Sequence, residues 1–80
     1  MKEKIHIGKL IENKMKENGR KNRWLADKLP CHISNIYRIY EQEFPDTERV
    51  IQICVLLEID LFAHYSEYVH RLIQNKKNEA

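Results

Sequence analysis

The 80-residue chain has little of what interrupts helices, with two glycines and two prolines, and little of what builds covalent or metal frameworks, with two cysteines. Cys31 and Cys54 are too few and too far apart for a disulfide framework or a paired-cysteine zinc site, so both are read as reduced packing residues. No two of His6, His32, His64 and His70 stand three or four residues apart, so no helix presents a histidine pair to one metal, and no metal site is expected. The chain also lacks a Gly-rich phosphate loop, a G-x-S-x-G elbow and a dominant carboxylate pair. Cys31 and His32 are adjacent, but neighbours in sequence rarely face each other on a helix. Neither an enzyme nor a cofactor or small-molecule substrate is expected. No stretch approaches the roughly 20 apolar residues that cross a bilayer, and MKEKIHIGKL has no uninterrupted apolar run, so the expected location is the cytoplasm.

What is present points to helices. Aromatic and β-branched residues recur at helical intervals, and 32% of the residues are charged, which favours an all-α domain over a β-rich or disordered one. A chain of this length holds one domain, expected over residues 1–75 with a frayed polar tail at 76–80. Ile7, Leu10, Ile11 and Met15 share one stripe, and Asn18-Gly19 ends it, which predicts a first helix over residues 5–18. Asn22 to Leu29 forms a second segment with Leu25, Ala26 and Leu29 inward, stopped by Pro30. A third opens at His32 or Ile33 and carries Ile36, Ile39 and Tyr40 inward. Asp46-Thr47 caps a fourth, whose VIQICVLL run is apolar on almost every side and is expected at the centre of the domain. After Asp60, Leu61, Phe62, Tyr65, Tyr68, Val69, Leu72 and Ile73 form a long apolar stripe, more than a small core needs.

The order L-A-x-x-L-x-C-x-x-S-N-I-Y-R-I, from Leu25 to Ile39, followed by D-T-x-x-V-I-x-I from Asp46, resembles the helix-turn-helix domain of Cro and phage-lambda-repressor-like regulators, the xenobiotic-response-element type. Leu25, Ala26, Leu29, Cys31, Ile36 and Ile39 stand where that family carries core residues. The resemblance implies a compact five-helix lambda-repressor-like bundle that binds double-stranded DNA, its third helix lying in the major groove and its second bracing it. Base-reading positions would then be His32, Ile33, Ser34, Asn35 and Arg38. Asn35 suits an adenine edge, Arg38 a guanine or a phosphate, and Ile33 a thymine methyl. Ile33 equally suits the core, three residues before Ile36, and the Ser34 hydroxyl suits a phosphate better than a base edge. Lys21, Asn22 and Arg23 at the start of the second helix, together with Tyr37, would contact phosphates. His32 falls at the helix-capping position, and Trp24 is expected to be half buried.

Three departures from the family modify this expectation. Pro30 replaces the usual turn glycine and cannot adopt a left-handed backbone angle, so the turn must be built differently or the second helix must end earlier. Lys21 replaces a Ser or Thr cap, and Glu41 and Glu43 bring negative charge where phosphates would approach. Net charge is only +2, too small to imply nucleic acid, although Lys14, Lys16, Arg20, Lys21 and Arg23 are concentrated around the start of the second helix. Symmetric dimers of this geometry read two half-sites, and residues 60–74 offer a dimerisation helix with Tyr65, Tyr68, Val69, Leu72 and Ile73 as its interface, the alternative being a helix that folds back on its own core. Two function classes follow: a DNA-binding transcriptional regulator, expected to repress as a homodimer, or a protein-interaction module on the same fold, such as an antitoxin or adaptor with weak DNA binding.

Overall fold

The computed structural model describes residues 4–79 as five helices: α1 (Ile7–Glu17), α2 (Asn22–Lys28), α3 (Ile33–Glu41), α4 (Thr47–Leu57) and α5 (Phe62–Glu79). No strand occurs among the described residues. The chain is thus an all-α bundle of five helices, and of the expected 1–75 domain and 76–80 tail, residues 1–3 and Ala80 lie outside the described residues. Helix α1 is shorter than the expected 5–18 because His6 caps it, its Nδ1 accepting the Lys9 N–H at 3.1 Å. Asp46 caps α4 in the expected way, taking the Arg49 N–H at 3.2 Å, and Asp60 accepts the Phe62 N–H at 3.0 Å.

Three helices end by the same closure, in which the residue after the left-handed position returns its N–H to a carbonyl five residues back. Arg20 N–H reaches the Met15 carbonyl, Cys31 N–H that of Ala26, and Ile59 N–H that of Cys54, each at 3.0 Å. The positive-φ residues are Gly19 at +67°, Pro30 at +22° and Glu58 at +58°. At Gly19 and Glu58 a second bond closes the motif, to Lys16 and Val55 respectively. Pro30 has no N–H to give, so α2 closes with one bond. Of the two expectations for this turn, α2 does end earlier, at Lys28 rather than Leu29, while Pro30 itself stands at the positive-φ position, far from the roughly −65° its ring favours.

One apolar cluster joins the helices, with Ile7, Ile11 and Met15 from α1 packed among Leu25, Ile36, Val50, Ile53 and Leu61. The junction of α1 with the end of α3 is unusually close. A Cβ on Gly8 would strike the carbonyl oxygens of Ile39 and Tyr40 and stand 2.6 Å from that of Gln42. Two amides at the start of α1 use this approach, Ile7 N–H donating to the Glu43 carbonyl at 2.9 Å and Gly8 N–H to that of Gln42 at 3.0 Å. Free donors at one helix start thereby satisfy acceptors just past another helix end.

Two expectations from the sequence fail here. Helix α4 is not enclosed: Val50, Ile53, Cys54 and Leu57 are buried, but Ile51 is 48% and Val55 71% exposed. A bundle this small has too few neighbours to surround a helix, so only one face is covered. The other concerns residues 76–79, expected as a polar tail: among the described residues they continue α5 as helix to Glu79. No α5 residue is fully buried, and the molecule measures 48 × 22 × 22 Å. Eighteen residues rise about 27 Å, so a helix of this length spans more than the short dimension of the bundle.

Candidate nucleic-acid interface

Helix α3 divides cleanly into a buried and an open face. Ile36, Ile39 and Tyr40 anchor it in the core, while Ser34, Tyr37 and Arg38 are exposed and Asn35 is half buried. Ile33 is half buried and packs against the core, which favours the packing reading over a groove contact for this residue. His32 caps the helix: its Nδ1 accepts the Ser34 N–H at 3.2 Å and lies 3.0 Å from the Ser34 hydroxyl. The Ser34 backbone amide and hydroxyl are thus both gathered about one ring nitrogen of the cap. The first turn of α3 thus has its polar groups partly tied to one another, leaving Asn35 and Arg38 as the candidates with no capping duty.

The start of α2 presents a second polar group. Lys21 and Arg23 are exposed, and Lys21 makes no side-chain capping bond, in keeping with an ammonium that has no acceptor to offer. Arg20 lies with its guanidinium 4.3 Å from the centroid of the half-buried Trp24 ring, a cation–π contact that stiffens this cation beside Lys21. Lys14 is paired with Glu17 at 3.2 Å within α1. Asn22 behaves differently from its neighbours, because its Oδ1 accepts a 2.7 Å bond from the Tyr40 hydroxyl at the end of α3. Burial, then the Glu12 carboxylate, then Tyr37 push that hydroxyl up to about 12. Tyr37 meets Tyr40 edge-on at 6.5 Å between centroids.

The acidic segment after α3 has a structural use that the sequence did not disclose. The Gln42 and Glu43 carbonyls receive the start of α1, and the Glu43 side chain pairs with Lys4 at 3.8 Å on the surface. Glu41 is exposed, so negative charge does stand at the end of the open face. On the opposite side of the turn, Arg49 of α4 donates to the Leu29 carbonyl at 3.4 Å and to Gln52 at 3.3 Å, placing a cation at the end of α2.

The five residues expected at a dimer interface separate into two groups. Tyr65 and Tyr68 lie 6.4 and 6.2 Å from the Phe44 ring, and Tyr65 stacks on Phe62 at 5.3 Å, so both tyrosines rest partly on their own chain. Burial, and secondarily Cys54, raises the Tyr65 hydroxyl above its ordinary value. Val69, Leu72 and Ile73 are exposed by 51%, 48% and 44%, a three-residue apolar strip on an open helix. A second apolar surface, lined by Leu29, Pro30, Ile51, Val55 and Leu56, was not foreseen. Its signal in the sequence was the very excess of apolar residues in VIQICVLL that suggested full burial.

Among the described residues no group of three His, Cys, Asp or Glu side chains stands close enough to hold a metal ion, and no helix is long and apolar enough to cross a membrane. No protein-family model, curated protein or solved structure matches this chain.

Proposed function

We propose that the chain is a sequence-specific DNA-binding transcriptional regulator with a lambda-repressor-like fold, repressing by steric occupation of an operator. The observation that carries this reading is the pairing of two short helices across four residues, Leu29 to His32, with α3 anchored on one side and open and polar on the other. Asn35 and Arg38 serve as the principal base readers, because neither belongs to the buried core or caps the helix and both carry hydrogen-bonding groups suited to base edges. His32 and Ser34 contribute at the first turn, Ile33 from its half-buried position, and Lys21, Arg23, Asn22 and Tyr37 hold phosphates. Val69, Leu72 and Ile73, flanked by Tyr65 and Tyr68, pair two copies so that two third helices enter the groove about 34 Å apart.

Fluorescence anisotropy against a pool of random duplexes at two salt concentrations tests this, followed by selection of the bound sequences and by Asn35→Ala and Arg38→Ala. Submicromolar, salt-sensitive binding that enriches a palindrome and is lost in either variant is the expected result. Absence of salt-dependent binding at low ionic strength sinks the reading. The alternative, a protein-interaction module such as an antitoxin or adaptor, draws support from the open Pro30, Ile51 and Val55 surface and from Glu41 beside the polar face of α3.

A further inference from the structure

Asn22 and Tyr40 stand eighteen residues apart and on different helices, yet their side chains meet in a 2.7 Å hydrogen bond. In this bond the Tyr40 hydroxyl donates and the Asn22 carbonyl oxygen accepts. Tyr40 is buried to 6% exposure, and its hydroxyl, raised to about 12, keeps its proton throughout the physiological range. A donating hydroxyl requires an acceptor, and of the two ends of an asparagine amide only the carbonyl oxygen accepts. Seating Oδ1 against Tyr40 therefore turns the Nδ2 group to the other side of the amide. Asn22 is half buried, and the residues on either side of it, Lys21 and Arg23, are exposed cations.

We infer that Tyr40 is a positioning residue for nucleic-acid binding: by holding Oδ1 of Asn22, it presents the Nδ2 donors to a backbone phosphate of double-stranded DNA. The inference rests on the DNA-binding reading above and adds to it the residue that orients a phosphate contact. An unrestrained amide divides its time between two flipped states, one of which directs a lone-pair oxygen at an anion. The bond from the Tyr40 hydroxyl favours the other state. A buried core tyrosine thus acts on the DNA surface through its hydroxyl alone, while its ring serves the core. The net worth of one neutral hydrogen bond sets the scale, about a three- to tenfold change in affinity.

The test uses the duplex recovered by the selection, with the full chain as wild type, Tyr40→Phe, Asn22→Ala and the double variant, each checked for stability by urea denaturation. Either single variant should bind about three- to tenfold more weakly while staying folded, and the double variant no more weakly than Asn22→Ala. The salt dependence should be unchanged, since no charge is removed. Methylphosphonate placed at successive linkages should reveal one position that weakens wild type but neither Asn22→Ala nor Tyr40→Phe. A merely structural role for the hydroxyl would alter the urea midpoint without removing sensitivity at one linkage. Wild-type affinity in Tyr40→Phe, multiplying effects in the double variant, or a methylphosphonate pattern shared by all four proteins overturns the inference. Failure of wild type to bind any duplex is a different result, seen before any variant is compared; it removes the DNA-binding reading and this inference with it.

Discussion

The amide of Gly8 donates to the carbonyl of Gln42 at 3.0 Å, and this bond brings the start of α1 against the end of α3 with no room for a side chain between them. Because α3 carries the open polar face, its pose depends on a residue thirty-four positions earlier that touches nothing in the proposed groove.

Gly8→Ala should accordingly destabilise the fold by about 2–3 kcal/mol, since the new methyl meets three backbone oxygens that cannot rotate away. Urea denaturation reads the difference. A variant within about 0.5 kcal/mol of wild type would mean that the two helices separate without penalty.

Pro30→Gly should act in the opposite direction. Glycine relieves a backbone held at +22° and supplies the N–H that the α2 closure lacks, against the greater freedom it gives the unfolded chain. A net gain of about 1 kcal/mol is expected from these opposing effects. Thermal denaturation checks it, and a lower melting temperature would show that the proline is not strained where it stands.

Stability in alkali should depend on Tyr40. Its hydroxyl is raised from 10.0 to about 12 in the folded state, so the folded protein holds that proton more tightly than the unfolded chain. The resulting stabilisation is fully present below about pH 10 and is lost as pH rises from 10 towards 12. Tyr40→Phe, which cannot ionise there, should show a shallower decline over that interval. Equal slopes in the two proteins would contradict the assignment; Tyr65, raised in the same direction, contributes to the slope that remains.

Leu72→Asp together with Val69→Asp tests the proposed pairing of two copies. Both side chains are about half exposed, so the helix content of a single chain should be unaffected. Sedimentation should show wild type as a dimer and the variant at half that mass, with DNA affinity reduced by at least tenfold because two half-sites are no longer engaged together. Identical masses would dismiss α5 as the pairing surface.

The sequence by itself determined where the helices lie and which stripes turn inward. Ile7, Ile11 and Met15, Leu25 and Ala26, and Ile36, Ile39 and Tyr40 were legible because helical periodicity is local, as were the Asp46 cap and the Gly19 stop. Exposure of Arg38, half-burial of Trp24 and capping by His32 followed from the same short-range rules. Tertiary structure decided what depends on distant partners. VIQICVLL announces an apolar helix, but how many neighbours cover it is a property of the whole bundle, and two of its residues are left open. Nothing near Gly8 signals that α3 will arrive there, and nothing near Asn22 signals Tyr40. Pro30 is the sharpest case: local preference argues against a positive backbone angle, and the chain nonetheless takes one there, beside the Cys31 to Ala26 closure. Local sequence sets the energy of each segment, whereas packing between segments far apart in the chain selects the conformation in which those energies must be reconciled.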